Sequence, residues 1–153
     1  MIEWFGGNHA AFNMYEMLKD LAHTWDDIVD GEPRTEYDIN QAFAVALLHL
    51  PLNPFYRQIQ DAILPMWEMV ISAYETANQF EREKSPHGLE IAHGLRYAAG
   101  HIAAFAIIRC VGYEKAREYL PLMWKDVVFE RFDEYLAEHT DGRRKESTSS
   151  TRP

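Results

Sequence analysis

The chain has 153 residues, 47% of them hydrophobic and 13% aromatic, with a formal net charge of −9. Such a length suits one domain, and the apolar content excludes disorder for most of it. The negative charge repels phosphate backbones and anionic headgroups, so neither nucleic acid nor membrane is an expected partner. Cys110 is the one cysteine, which rules out an intrachain disulfide and suits a reducing, cytoplasmic setting.

Apolar residues recur at helical spacing almost throughout, and no alternating strand pattern of useful length occurs. The first helix is expected from about Asn8, as N-cap, to Asp30, where Gly31 and Pro33 stop it. Its inward stripe reads Phe12, Tyr15, Leu18, Leu21 and Trp25, and this face is expected to pack on the fourth helix. A second helix starts near Thr35 or Asp38, with capping-box spacing from Asp38 to Gln41. Phe43, Leu47, Leu48 and Leu50 form its apolar face, and Pro51 ends it. Asn53-Pro54 reads as a cap followed by proline at the first helical position. It opens a third helix to about Glu83, with a kink or break at Pro65. Ser85-Pro86 repeats the signature and opens a fourth helix to Gly112. A last helical region spans about Tyr113 to Glu138, bent near Pro121. Short connections between long helices favour an all-α antiparallel bundle of five to six helices over residues 1–139. Residues 140–153, polar and nearly without apolar side chains, read as a disordered tail. The apolar stretch Ala98–Val111 is interrupted by Gly100, His101 and Arg109, and reads as too short and polar to span a bilayer.

The most concentrated chemistry lies at the end of the first helix, in His23-Thr24-Trp25-Asp26-Asp27-Ile28-Val29-Asp30. Asp26 and Asp30 are four apart and share a face. Three carboxylates within a turn repel one another, and negative charge is unfavourable at a helix C-terminus. A hard divalent cation would relieve both costs. Metal binding would then stabilise the fold, and Asp26→Asn would relieve repulsion in its absence. The alternative is a solvated acidic helix end with Asp30-Gly31 as its turn.

Asp26-Asp27-Ile28-Val29-Asp30 resembles the Asp-Asp-x-x-Asp motif of class I isoprenoid synthases, all-α enzymes in which the aspartates hold Mg²⁺ and the metal grips a diphosphate. The resemblance implies Asp26, Asp27 and Asp30 as metal ligands and Mg²⁺ as cofactor. Those enzymes are larger, and their second metal motif has no clean match here. His23-x-Trp25-Asp26-Asp27, with Asn53-Pro54-Phe55-Tyr56-Arg57 downstream, resembles small proteins of tailed bacteriophages. This second likeness implies a phage-encoded, virion-associated component and no activity.

A second constellation lies on the expected fourth helix. Glu90, His93, Tyr97 and His101 follow spacings of three, four and four and form one polar stripe among apolar residues, flanked by Arg96. Polar groups on a buried face need partners. Glu90-x-x-His93 matches half of a di-iron bundle pattern, but the second half is missing. The stripe therefore reads as interface hydrogen bonds and ion pairs. Arg57 and Arg96 are the candidate phosphate-pairing residues. Asp126, Glu130, Asp133 and Glu134 read as a solvated face. No Gly-rich phosphate loop, His-Glu-x-x-His or cysteine ligand set occurs.

Two functions follow. One is a small acidic, non-enzymatic interaction or accessory protein with a protein partner or with itself, virion-associated if phage-encoded. The other is a Mg²⁺-dependent diphosphate-binding enzyme, isoprenoid synthase-like or an all-α pyrophosphohydrolase, built on Asp26, Asp27 and Asp30.

Overall fold

The computed structural model of the chain describes residues 1–140. The expected disordered tail lies outside them except for Thr140. The described residues are all-α, with no strand among them. A 3-10 turn at Ile2–Phe5 precedes α1 (His9–Asp30), α2 (Glu36–Ala44), a π-helical stretch at Val45–His49 and the single turn α3 (Leu50–Leu52). Then come α4 (Pro54–Glu83), α5 (Pro86–Arg96), α6 (Gly100–Val111), α7 (Tyr113–Val127) and α8 (Phe132–Thr140). Tight connections make α4 with α5, and α6 with α7, adjacent antiparallel pairs.

The helix starts follow local chemistry. Asn8 Oδ1 accepts from the Ala11 N–H at 3.1 Å, satisfying one of the donors a helix leaves free at its start. Asn53 does more. Its Oδ1 accepts from the Phe55 and Tyr56 N–H groups at 2.9 and 3.0 Å, while its Nδ2 donates to the Ala10 carbonyl at 2.8 Å. One buried side chain thus caps α4 and ties it to the start of α1. Ser85 caps α5 through the Gly88 N–H at 3.1 Å. The capping box of α2 joins Thr35 and Asp38, not Asp38 and Gln41, because the helix begins three residues earlier than that reading requires.

The prolines do not break the helices that contain them. Pro51 does not end the second helical segment. It sits in the first turn of α3, where a missing N–H is tolerated, and the segment runs to Leu52. Helices α4 and α7 pass through Pro65 and Pro121 as continuous elements. The breaks lie elsewhere. The expected fourth helix is divided at Tyr97–Ala99, where the N–H groups of Ala98, Gly100, His101 and Ile102 each bond three residues back rather than four. The last region is divided at Val128–Arg131 and continues to Thr140. By length and composition Pro86–Val111 is apolar enough to cross a bilayer, but the Tyr97–Ala99 turn interrupts it.

The main core gathers Phe5, Met14, Tyr15, Ile63, Ile102, Ile107 and Met123 from the N-terminal turn, α1, α4, α6 and α7. A satellite core of Ala77, Leu89, Ala92 and Tyr135 joins the C-terminal half of α4 to α5 and α8. Of the expected inward stripe of α1, Tyr15 and Leu18 are buried, while Phe12, Leu21 and Trp25 are half-buried against the main core. Helix α1 touches α6, part of the expected fourth helix, and Trp25 also meets α4. It stacks on Tyr74 of α4, with ring centroids 4.3 Å apart. The apolar face expected on the second helix is turned around: Leu50 is buried, but Phe43, Leu47 and Leu48 are exposed.

Candidate functional site

Asp26 and Asp30, one turn apart on α1, meet side chains from three other helices. Tyr74 and Glu81 lie two turns apart on α4, Arg96 ends α5, and Tyr135 lies on α8. Arg96 is the hub, with its side chain only 11% exposed. Its Nε donates to Glu81 Oε1 at 2.7 Å and a terminal nitrogen donates to the other oxygen of that carboxylate, a bidentate pairing. The other terminal nitrogen donates to Tyr74 Oη at 2.6 Å and to Asp26. Asp30 lies 3.6 Å from the guanidinium. Tyr74 Oη donates to Asp26, and Tyr135 Oη donates to Glu81 at 2.5 Å. The guanidinium also lies over the Tyr74 ring, 4.8 Å from its centroid.

The protonation energetics follow this arrangement. Burial pulls the Arg96 guanidinium down, but its bonds to Glu81 and the charge of Asp26 outweigh that and hold it above its ordinary value. Burial pushes the Tyr74 and Tyr135 hydroxyls up, and their bonds to Asp26 and Glu81 push them further. Asp30 is raised by burial, with Arg96 opposing and Asp26 adding to the rise. Arg96 is therefore a permanent cation, and the tyrosines are permanent donors at physiological pH.

The countercharge that the three aspartates require is thus supplied by arginine. Arg96 serves Asp26 and Asp30, and Arg34 pairs with Asp27. Among the described residues no three His, Cys, Asp or Glu side chains are grouped so as to hold a metal ion. Arg57 and Arg96 do not converge either. Arg57 is exposed on the first turn of α4, and Glu81, the partner of Arg96, lies 24 residues along the same helix, about 36 Å away.

The polar stripe disperses at the Tyr97–Ala99 turn. Glu90 is exposed beside His87 at 3.6 Å. His93 packs edge-on against Tyr97 and Phe132, with Nε2 3.2 Å from the Glu130 carbonyl oxygen. Tyr97 meets Phe129, and its hydroxyl is pushed up to about 12 by burial and the charge of Glu130. His101 meets the Trp124 ring. The contacts of His93, Tyr97 and His101 with Phe132, Phe129 and Trp124 join α5 and α6 to the C-terminal segments, while the Glu90–His87 pair lies within α5.

Two groupings escaped the spacing argument. Asp126, expected on a solvated face, accepts from Tyr15 Oη at 2.5 Å and from Lys19 Nζ at 3.1 Å, joining α7 to α1. The bond from Tyr15 holds its carboxyl below the ordinary range, with Lys19 adding to the effect. The second grouping is an open cleft of about 450 Å³ between α1 and the α2–α3 segment, lined by Asn13, Glu16, Met17, Asp20, His49, Leu52 and Asn53. Glu16 Oε1 is buried there and has no hydrogen-bond partner among the described residues. No local sequence pattern marks this cleft, because its walls come from α1 and from the α2–α3 segment. Comparison with protein-family models, curated proteins and solved structures finds no match to this chain.

Proposed function

We propose that this chain is a non-enzymatic interaction protein whose docking surface is the outer face of the α2–α3 segment. The observation that carries the reading is a run of large apolar side chains with nothing packed on them. Tyr37, Phe43, Leu47, Leu48 and Leu52 are 57–69% exposed. Phe43 and Leu47, and likewise Leu48 and Leu52, are four residues apart, so each pair stacks on one side of the segment. Helix α2 has no buried residue of its own. Leaving so much apolar surface in water is unfavourable, and contiguous exposed patches mark sites of association. On α4, Leu64, Met69 and Ile71 are also exposed, but no two of them are three or four residues apart. Scattered apolar residues of that kind are ordinary on protein surfaces.

The likeness to small tailed-bacteriophage proteins supports a virion component or accessory factor as the setting. The Mg²⁺-dependent alternative has no comparable support, since it would need Arg96 and Arg34 to leave the aspartates they pair with. The test is site-specific photo-cross-linking in the native host. A cross-linker at position 48 should trap a discrete protein adduct, and one at exposed Glu114 should not. Adducts only from position 114, or from neither position, would sink the proposal.

A further inference from the structure

We infer that the α2–α3 face receives a basic amphipathic helix of a partner protein, whose Lys or Arg side chains enter the adjoining acidic cleft. This rests on the interaction reading above and adds the chemistry of the occupant. The apolar face and the cleft are one surface, because Leu52 belongs to both: it is 69% exposed on the face and it lines the cleft. The cleft wall on α1 is a stripe of Asn13, Glu16 and Asp20 at spacings of three and four, so these side chains point the same way. No Lys or Arg lines it. Asn53, on its floor, has both side-chain polar atoms engaged in the α4 cap and the bond to Ala10.

Glu16 differs from the carboxylates of the Arg96 hub. Its buried Oε1 lacks a donor among the described residues, and a buried acceptor without a donor is an uncommon and costly condition. An ammonium or guanidinium group entering beside Leu52 would bring a positive charge to the carboxylates of Glu16 and Asp20 that line the cleft. A helix whose apolar residues recur every three or four positions would at the same time cover Phe43, Leu47 and Leu48. A second copy of this chain fits less well. A two-fold contact would bring two copies of the Glu16–Asp20 stripe near each other, in a molecule that already carries a net charge of −9.

The probe is a fluorescently labelled synthetic amphipathic helix of about five turns built from Leu and Lys, titrated into the full chain by anisotropy, with a Leu/Glu helix of the same length as control. The Leu/Lys helix should bind and the Leu/Glu helix should not. Glu16→Gln with Asp20→Asn should weaken binding about tenfold or more at low salt, as should Leu47→Ser with Leu48→Ser. Glu114→Gln with Glu118→Gln removes the same charge from exposed positions on α7 and should change nothing. Thermal melts confirm that each variant is folded. Equal weakening by the α7 pair would reduce the effect to overall charge and overturn the inference. Binding of both helices, weakened only by the Leu47 and Leu48 substitutions, would overturn the basic partner and leave the docking surface standing. Failure of both helices to bind, with a self-association that Leu47→Ser and Leu48→Ser abolish, would make a second copy the occupant. Loss of every dependence on the α2–α3 face would remove the inference and the interaction reading together.

Discussion

Arg96 shows how far apart in sequence the parts of a charge cluster can lie. Asp26 is 70 residues from it and Glu81 is 15. Helical spacing places Asp26 and Asp30 on one face, and that much is readable from the chain alone. Spacing cannot say which cation faces them, because that depends on how α5 folds back on α4. A charged residue, Glu81, set one turn beyond apolar Ala77 on the buried side of α4, is the local signal of a partner across the interface. Replacing Arg96 with Met should cost about 3–5 kcal/mol in urea unfolding, since it strands Glu81, whose side chain is 10% exposed. Asp26→Asn should destabilise by about 1 kcal/mol, through the loss of charge in bonds from Tyr74 and Arg96. The metal-site expectation has the opposite sign. Stabilisation by this substitution, together with a rise in melting temperature on adding Mg²⁺, would restore that reading. Tyr15 offers a test in pH. Its bond depresses Asp126, so the stability from that bond is present above the ordinary carboxylate range and is lost as pH falls through the lowered value. Tyr15→Phe should therefore be more destabilising near neutral pH than at about pH 3. An unchanged difference would show that Asp126 is not depressed.

At the scale of helices, the starts and the glycine stops were readable because they rest on chemistry within a few residues. Asn8, Asn53-Pro54, Ser85-Pro86, Gly31 and Gly112 all sit at helix boundaries. The interior prolines do not break α4 or α7, because a proline removes one hydrogen bond and neighbouring packing can hold the helix through it. The turn at Tyr97–Ala99 has no local breaker to announce it, and the residue that follows it answers to another helix. A Cβ on Gly100 would meet Trp124 ring carbons at 2.5 and 2.8 Å, so only glycine lets α6 lie this close to α7. Gly100→Ala should lower stability by about 1–3 kcal/mol, and Trp124→Leu in the same chain should recover part of the loss. No coupling between the two positions in a double-mutant cycle would show that this contact does not set the α6–α7 spacing. The outward Leu47 and Leu48 belong to the same lesson. An apolar stripe identifies a face that avoids water, and only the fold shows whether the chain itself or another molecule covers it.

For the whole molecule, the two cores share few elements. Helix α4 runs through both, and the Arg96 hub pins the α4–α5–α8 group to the end of α1. Helix α8 touches chiefly α5 and hangs on Tyr135, with His93 and Glu81 as its neighbours. The arrangement has a consequence for how the molecule comes apart. A satellite of four buried residues, joined to the larger body by α4 and by the contacts of Arg96 and Tyr74 with the end of α1, can open as a local unit while the main core stays closed. Amide hydrogens of α8 and of the C-terminal turns of α4 should exchange with deuterium faster than those of α6. Arg96→Met should widen that gap until heating resolves two transitions where the wild-type protein shows one. If exchange slows uniformly from ends to centre in every helix, and the variant still melts in a single step, the two cores unfold together and the hub contributes stability without dividing the chain into separable parts.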